Sequence, residues 1–256
     1  MGAAPLHVEL EKDGALLRLR LSRPKANIVD AAMIAALRAA LHEHLSGVHL
    51  RAVLLEAEGP HFSFGASVEE HLPGSCAAML HELHALILQL VASPVPVLVA
   101  VRGQCLGGGL EVAAAGHLIF AAPGATLGQP EIKLAVFAPA ASCLLPERIG
   151  PSRAEDLLFS GRSIGAEEAH RIGLVNALAD DPSQAALAYF EEHLAKRSAS
   201  SLRFAVRAAR FDFVARVRRK LAEVERMYLE ELMATHDAVE GLTAFIAKRP
   251  PVWEDR

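Results

Sequence analysis

Two glutamates of this 256-residue chain stand in surroundings where a charged carboxylate is costly to bury. Glu111 lies within the apolar run LEVAAA, and Glu131 follows Gly-Gln-Pro. Burial raises the pKa of a carboxyl group, and two such groups together can act as a general acid/base pair. A plainer interpretation exists for each residue, because Glu111 would suit a solvated helix face and Glu131 the first turn of a helix.

Two glycine-containing turns lie close to these glutamates in the sequence. The first is HFSFGAS over residues 61–67, and the second is GQCLGGGLE over residues 103–111. Each is placed where a predicted strand passes into a helix, so its backbone N–H groups could bind an anion with no Cβ in the way. If the two turns converge, they could hold one developing negative oxygen from two sides. Either turn alone could equally be a tight turn without a ligand.

Other familiar site types do not account for these residues. The second turn lacks the G-x-G-x-x-G pattern and a Walker Lys-Ser/Thr pair, and the chain has no G-x-S-x-G elbow. Cys105 lies in the second turn with no histidine spaced to activate it, so we expect it to pack beneath the turn. His81 and His84 could share a helix face, but no acidic or cysteine residue has matching spacing, so no metal site is predicted.

Alternating strands and helices must position the turns and the glutamates, which predicts an α/β fold. Apolar runs and turn residues indicate a hairpin over residues 6–21 around Asp13-Gly14. Further strands are predicted over 52–55, 97–101 and 118–121, and helices over 30–45, capped by Asp30, and 79–91. The charge-free run 83–101 has roughly the length of a membrane span, but Pro94 and Pro96 divide it, which favours a buried helix followed by a buried strand.

The strand pattern is lost after about residue 182. Three helices are predicted there, over 198–213, 214–233 and 236–248, with a soft domain boundary near residue 195. Basic side chains concentrate in these helices, at Arg203, Arg207, Arg210, Arg216, Arg218, Arg219 and Lys220. Such a run favours a solvated face or a contact with an anionic ligand, since a nucleic-acid patch would need interleaved aromatic residues.

Composition narrows the class of protein. Apolar residues make up 52% of the chain but aromatic residues only 5%, so Ala, Leu and Val dominate, and a disordered chain is excluded. The net charge of -4 argues against a nucleic-acid-binding protein. The three cysteines form no C-x-x-C pair and no signal peptide is recognisable, so we expect a soluble cytoplasmic protein that does not enter membranes.

The motifs F-S-x-G-A, G-x-C-L-G-G-G-x-E and G-Q-P-E, in this order, resemble the crotonase (enoyl-CoA hydratase/isomerase) superfamily from about residue 6 to the C-terminus. The resemblance implies a crotonase-like spiral of ββα units over residues 1–195, which carries the active site. It also implies a C-terminal helical region over residues 196–256 that forms homotrimers or hexamers and contacts CoA. The expected partner is an acyl-CoA thioester, with CoA as part of the substrate and neither a separate cofactor nor a metal.

The same resemblance assigns roles to individual residues. The backbone N–H groups of Ala66 and Gly108 match the family's oxyanion hole. Glu111 and Glu131 match the two glutamates of its hydratases, which activate water and deliver a proton. The residues expected to contact the substrate or its CoA portion are Lys25, Ala26, Phe64, Gly65, Ser67, Gly107, Phe137 and Lys248.

Departures from the family pattern point to an unusual acyl group. Ser67 stands where the family usually has Asp, Phe64 adds an aromatic ring to the first turn, and the expected glycine-rich run after Glu131 becomes alanine-rich and includes Phe137. The sequence is similar to a narrower group that hydrates cyclohexa-1,5-diene-1-carbonyl-CoA to 6-hydroxycyclohex-1-ene-1-carbonyl-CoA in anaerobic benzoyl-CoA degradation. The alternatives are a general enoyl-CoA hydratase of the β-oxidation type and a non-catalytic, RNA- or partner-binding relative, for which two buried carboxylates would serve no purpose.

Overall fold

A computed structural model describes residues 4–256, and its strands form two sheets. The strands are β1 (Leu6–Glu11), β2 (Leu16–Leu21), β3 (Ala52–Ala57), β4 (Val97–Val101), β5 (Gln104–Leu106), β6 (Leu118–Ala121), β7 (Thr126–Gly128), β8 (Ser163–Gly165) and β9 (Ala177–Leu178). The larger sheet has the order β1-β2-β3-β4-β6-β9 and is parallel apart from the β1-β2 hairpin. The smaller sheet has the order β5-β7-β8, with β5 and β7 parallel.

Helices follow the strands in close alternation. They are α1 (Ala31–His44), α2 (Cys76–Val91), α3 (Gly108–Ala115), α4 (Pro139–Ile149), α5 (Pro151–Ser160), α6 (Ala166–Arg171), α7 (Pro182–Tyr189), α8 (Ala199–Arg226) and α9 (His236–Ile246). Asp30 caps α1 as predicted, since its side chain accepts a hydrogen bond from the N–H of Met33. The charge-free run is the end of α2 followed by β4, as predicted. Nowhere in residues 4–256 is a helix both long and apolar enough to cross a bilayer.

The expected spiral of ββα units is present. In the unit β4-β5-α3 the first strand joins the larger sheet and the second joins the smaller sheet, and β6-β7-α4 repeats this arrangement beside it. Two isolated bridges, between Ser63 and Cys105 and between Val29 and Ala66, extend the smaller layer towards the start of the chain. Each turn of the spiral therefore delivers a loop and a helix N-terminus to the same side of the molecule.

The larger sheet is buried on both faces, which explains its near-continuous apolar strands. Leu17, Val53 and Val97 face one hydrophobic core, which α1, α2 and α3 cover. Leu16, Leu54 and Leu98 face a second core, which Phe190 and the residues of α7 cover. The period-two alternation of a strand explains this division between the two faces.

The C-terminal helices differ from the prediction in one respect. The helical structure predicted over 198–213 and 214–233 is present, but the break predicted between residues 213 and 214 is wrong. Helix α8 runs without a break through 28 residues and continues as a π-helical turn over Met227–Glu231. This stretch contains neither glycine nor proline, so nothing in its backbone ends the helix at residue 213. Val217 and Leu221 of α8 pack into the first core, so this helix is fixed against the spiral that it follows.

Candidate active site

The two glycine-containing turns run side by side. Hydrogen bonds join residues 61–67 to residues 103–111, from the N–H of Ser63 to the carbonyl of Gln104 (3.0 Å) and from the N–H of Leu106 to the carbonyl of Ser63 (3.0 Å). This pairing continues the smaller sheet and places the ends of both turns at the N-terminus of α3. The convergence that the sequence left open is therefore present.

Glycine is required where the two turns touch. Gly65 and Gly107 have φ angles of +114° and +51°, which L side chains rarely adopt. A Cβ on Gly108 would lie 3.0 Å from the backbone nitrogen of Ala66. The N–H groups of Ala66 and Gly108 are thus neighbours, and neither donates to an acceptor within residues 4–256. Two unpartnered donors at a helix N-terminus form an anion-binding site.

Glu111 lies in the first turn of α3, just beyond this pair of donors. Its side chain is buried, with 3% of the residue exposed, and its Oε1 accepts a hydrogen bond from the N–H of Ala141 (2.8 Å). Burial raises the pKa of Glu111, while the N–H groups of Ala141 and Ala140 and the positive charge of His84 oppose that rise. Hydrogen bonds from backbone amides favour the ionised carboxylate.

Glu131 approaches the same point from the other side. It belongs to a 3₁₀ turn over Pro130–Leu134, and its Oε1 lies 2.7 Å from the position that a Cβ on Gly107 would occupy. The buried amide of Gln129, with its nitrogen turned towards the carboxylate, donates to both oxygens of Glu131 at 3.0 Å. Burial and the negative charge of Glu111 raise the pKa of Glu131 to about 8.

A narrow cavity of about 80 Å³ lies between the glutamates and the turns. The two predicted aromatic residues, Phe64 and Phe137, line this cavity together with Glu111 and Glu131. Its other lining residues are Gly65, Ala66, Val68, His71, Leu80, Leu83, Gly107, Gly108, Pro130, Leu134, Val136, Ala138, Pro139 and Leu242. The two carboxylates and both candidate oxyanion donors therefore face one space.

Comparison with known proteins identifies the family. Residues 11–256 match the family model described as enoyl-CoA hydratase/isomerase. The chain belongs to this family. A cyclohexa-1,5-dienecarbonyl-CoA hydratase of Thauera aromatica is 69% identical over 254 residues, covering 99% of this chain and 98% of the relative. A probable enoyl-CoA hydratase of Bacillus subtilis (strain 168) is 30% identical, covering 95% of this chain and 97% of the relative.

Solved structures give the same fold. A crystal structure of an enoyl-CoA hydratase from Mycobacterium avium subsp. paratuberculosis K-10 superposes with a TM-score of 0.86. The two chains are 24% identical, and the match covers 99% of this chain and 100% of that one. At this identity the comparison supports the fold alone, which is the crotonase fold that the motifs predict.

Some predicted substrate-contacting residues of this enoyl-CoA hydratase/isomerase family member lie outside the cavity. Ser67 does not line it, because its hydroxyl donates to Glu69 (3.2 Å) and accepts from the N–H of Glu70 (3.4 Å). These bonds tie Ser67 to the short 3₁₀ turn over Glu69–His71. The residue that replaces the family's usual Asp thus contacts the chain after the first turn, and its role towards the substrate stays a prediction.

The residues predicted to contact CoA lie at the surface and outside the acyl cavity. Lys25 is exposed, and the carbonyl of Ala26 accepts a hydrogen bond from the N–H of Phe64 (2.9 Å), which ties this segment to the first turn. Lys248 is exposed just after α9. The same helix places Leu242 in the cavity wall, so α9 covers the site of its own chain.

Several residues at the site were missed by the sequence analysis. His71 lines the cavity with its Nδ1 held at 2.7 Å from the carbonyl of Ser67, and burial lowers its pKa, which favours the neutral ring. The backbone of Ala141 contacts Glu111. A sequence motif specifies side chains. The donor to Glu111 is a backbone N–H 30 residues further along the chain, and no motif can show it.

Cys105 packs as predicted, and the two candidate histidines of α2 lie in different environments. Cys105 is fully buried, and burial raises the pKa of its thiol, so it packs beneath the turn as a small apolar side chain. His81 is exposed, whereas His84 is buried on the same helix. Within residues 4–256 no group of three His, Cys, Asp or Glu side chains is arranged to hold a metal ion.

The raised pKa of Glu131 predicts a cost in stability at alkaline pH. Between its ordinary value of 4.5 and about 8 the folded protein binds a proton that the unfolded chain releases, so the free energy of unfolding falls as pH rises through this window. In the Glu131→Gln variant the part of this loss that Glu131 causes disappears, while the raised pKa of Glu111 still contributes. As the pH rises from about 5 to 8.5, we expect the free energy of unfolding of the variant to increase by about 1–3 kcal/mol relative to that of the wild type. This figure is reduced because the carboxylate is partly exposed.

Urea unfolding at several pH values measures this difference. The matched control is Glu155→Gln, because Glu155 is an exposed residue of α5 and its replacement should leave the pH dependence unchanged. A Glu131→Gln variant whose stability runs parallel to that of the wild type from pH 5 to 8.5 would show that Glu131 is not protonated in the folded state.

Proposed function

We propose that this protein adds water to cyclohexa-1,5-diene-1-carbonyl-CoA. The observation that carries the chemistry is the convergence of two glutamates and two free backbone N–H groups on one cavity. The 69% identity to the Thauera aromatica hydratase over nearly the whole chain supports the substrate. A hydratase needs a base, an acid and an anion site within reach of one ligand, and this arrangement supplies all three.

The environments of the two glutamates support different roles. Glu131, whose pKa burial and the charge of Glu111 raise to about 8, retains its proton near neutral pH and is the candidate acid. Burial raises the pKa of Glu111 as well, but its Oε1 accepts a hydrogen bond from the N–H of Ala141, and we therefore assign Glu111 as the base. Two carboxyl groups that share one site repel each other when both are charged, so one of them holds a proton while the other is ionised.

The proposed reaction proceeds through a dienolate. Glu111 removes a proton from water as the water oxygen bonds to carbon 2 of the ring, and an electron pair moves through carbon 1 onto the thioester oxygen. The N–H groups of Ala66 and Gly108 stabilise that oxygen. Collapse of the dienolate takes the proton of Glu131 onto carbon 5 and leaves a double bond between carbons 1 and 6. Renumbered, this product is 6-hydroxycyclohex-1-ene-1-carbonyl-CoA.

The shape of the cavity favours a flat ring over a flexible chain. Phe64 and Phe137 both line the cavity. The ring of Phe137 packs edge-on against the ring of Tyr228, with the ring centroids 5.2 Å apart, and this contact fixes the orientation of Phe137. Aromatic faces pack closely against a planar conjugated ring. A linear enoyl-CoA remains the second candidate, because the Bacillus subtilis relative is a probable enoyl-CoA hydratase.

We place the CoA portion outside the acyl cavity, next to Lys25 and Ala26. Lys25 and, beyond α9, Lys248 are exposed cations that suit the phosphates of CoA. Addition of water causes no net oxidation or reduction, so the proposed reaction calls for no redox cofactor, and CoA enters as part of the substrate. The three free, buried cysteines support a site of action in a reducing cytoplasm.

Relative specificity tests the substrate proposal. We expect kcat/KM for the cyclic dienoyl-CoA to exceed that for crotonyl-CoA by at least about tenfold, which corresponds to about 1.4 kcal/mol of transition-state stabilisation. Much faster turnover of crotonyl-CoA would favour a general enoyl-CoA hydratase. No reaction with either thioester, together with tight RNA binding at physiological salt, would favour a non-catalytic binding protein.

Self-association is proposed through α8. Phe204 and Phe211 of this helix are 67% and 71% exposed and lie two turns apart on one face. They border a groove of about 720 Å³ together with Arg203, Arg207 and Arg210. Sedimentation equilibrium should give a trimer or hexamer, and Phe211→Asp should lower the mass. A wild-type monomer at micromolar concentration would overturn this proposal.

A further inference from the structure

A third polar side chain lines the cavity that Glu111 and Glu131 share. Among the described residues that line this cavity, His71 is the only other one whose side chain can form a hydrogen bond, since the rest are glycine, alanine, proline, valine, leucine and phenylalanine. The proposed reaction uses both glutamates but not His71. A single polar group in an otherwise apolar wall is typical of a group that orients a ligand.

His71 is held in the cavity wall by two contacts. It ends the 3₁₀ turn over Glu69–His71, which follows the first glycine-containing turn. Its backbone N–H donates to the carbonyl of Val68 (3.1 Å), and its Nδ1 lies 2.7 Å from the carbonyl oxygen of Ser67. Val68 lines the cavity as well. Both the backbone and the ring of His71 are therefore fixed beside the cavity.

The contact with Ser67 decides which ring nitrogen carries the proton. A carbonyl oxygen only accepts hydrogen bonds, so Nδ1 of His71 is the donor. Burial lowers the pKa of His71, although the bond to Ser67 opposes this effect, so the ring is neutral near pH 7. A neutral ring with its proton on Nδ1 has a free lone pair on Nε2. His71 thus offers the cavity an acceptor.

Nε2 of His71 is accessible to a ligand. The described part of the chain gives this atom no hydrogen-bond partner. The side-chain atoms of residues 4–256 that are both buried and unpartnered are His84 Nε2, His117 Nε2 and Tyr228 Oη, so His71 Nε2 is not sealed off by protein. Because the ring lines the cavity, a water molecule or hydroxyl group bound there can donate to Nε2.

The attacking water supplies the hydrogen that this acceptor needs. In the proposed reaction one O–H group of the water loses its proton to Glu111, and the other becomes the hydroxyl group of the product. Glu131 delivers its own proton to carbon 5, and the N–H groups of the oxyanion site are donors. A buried hydroxyl group without an acceptor is costly. Nε2 of His71 is the acceptor in the described cavity wall that has no other role.

We propose that Nε2 of His71 accepts a hydrogen bond from the O–H group that the attacking water keeps, and so binds the hydroxyl group of the product. His71 orients the water for attack on carbon 2, and it makes a thioester with this hydroxyl group a better ligand than one without it. This role rests on the proposed function, because it takes Glu111 as the base and the cyclic dienoyl-CoA as the substrate.

The binding of two thioesters tests this role. 6-Hydroxycyclohex-1-ene-1-carbonyl-CoA carries the hydroxyl group, and cyclohex-1-ene-1-carbonyl-CoA lacks it. Their Kd values are compared in a Glu131→Gln background, where turnover is slow. Adding His71→Leu should raise Kd for the hydroxylated thioester about tenfold, as for one lost hydrogen bond, and should change Kd for the other less than about twofold. Equal weakening of both thioesters, or of neither, would overturn the proposal.

Two further variants separate the hydrogen bond from the shape of the side chain. His71→Gln retains an acceptor, so it should bind the hydroxylated thioester more tightly than His71→Leu does. The matched control is His49→Leu, which makes the same replacement at an exposed histidine and should leave both Kd values unchanged. In the otherwise wild-type protein, His71→Leu should lower kcat for hydration about tenfold, and His71→Gln should recover part of that loss.

Nitrogen-15 NMR of the imidazole ring keeps the proposal testable if His71→Leu does not fold. The signals of His71 are assigned by their loss in His71→Gln. They should show the proton on Nδ1, and the Nε2 signal should move upfield with the hydroxylated thioester but not with the other. A proton on Nε2, or an Nε2 signal that both thioesters leave unchanged, would contradict the proposal. A wild type inactive on the cyclic dienoyl-CoA would instead refute the proposed function, and the Kd comparison would still decide whether His71 binds the hydroxyl group.

Discussion

Replacing Glu131 by Gln is expected to lower kcat for the cyclic dienoyl-CoA by about 10³-fold, within the range typical of the loss of a general acid. The amide keeps the size of the side chain and its place beside Gly107 but has no proton of suitable acidity for carbon 5. KM should change little, because the lost interaction is made only in the transition state. Steady-state kinetics on purified protein measures both constants.

This result can be separated from a folding defect. The same substitution should raise stability at alkaline pH, so a slow variant that is also more stable would identify a chemical role. Glu155→Gln on α5 serves as the control and should retain wild-type kcat. Turnover of Glu131→Gln within about threefold of the wild type would remove Glu131 from the mechanism.

Replacing Gly108 by Ala is expected to lower kcat by about 10²-fold, in line with the loss of one oxyanion-hole donor. The new methyl group would lie 3.0 Å from both the nitrogen and the Cβ of Ala66, so it would occupy the gap between the two N–H groups. Alanine favours a helix more than glycine does, so α3 itself should not be weakened. Rapid-quench or steady-state kinetics will report the loss in kcat.

The matched control is Gly124→Ala, in the turn before β7, where an added Cβ meets nothing within 4 Å. It should leave kcat and KM unchanged. If Gly108→Ala were as active as Gly124→Ala, the thioester oxygen could not lie between Ala66 and Gly108, and the two turns would have only a structural role.

The sequence predicted the fold well where local patterns and packing agree. The entirely apolar strand β4 and the Asp30 cap of α1 were found with the correct residues, because burial on both faces and capping leave strong local signals. The division of α8 at residue 213 was wrong. Its apolar residues are spread thinly along a long basic helix, so periodicity did not show that one helix continues.

The sequence predicted those parts of the site that consist of glycine-containing turns and carboxylate side chains. Residues 65–66, 107–108, 111 and 131 converge as the motifs imply, and Phe64 and Phe137 line the cavity. Ser67 follows Ala66 directly but does not line the cavity. The orientation of its side chain depends on the 3₁₀ turn that follows, which the motif does not show.

Hydration of the cyclic dienoyl-CoA in D₂O, with the product examined by NMR and mass spectrometry, tests the central claim most directly. The account predicts one carbon-bound deuterium at carbon 3 of 6-hydroxycyclohex-1-ene-1-carbonyl-CoA, which is carbon 5 of the substrate and the carbon that the acid Glu131 would protonate. Deuterium on the carbon that bears the thioester would contradict protonation of a dienolate at its distal end. Absence of any hydrated product would contradict the proposed function itself.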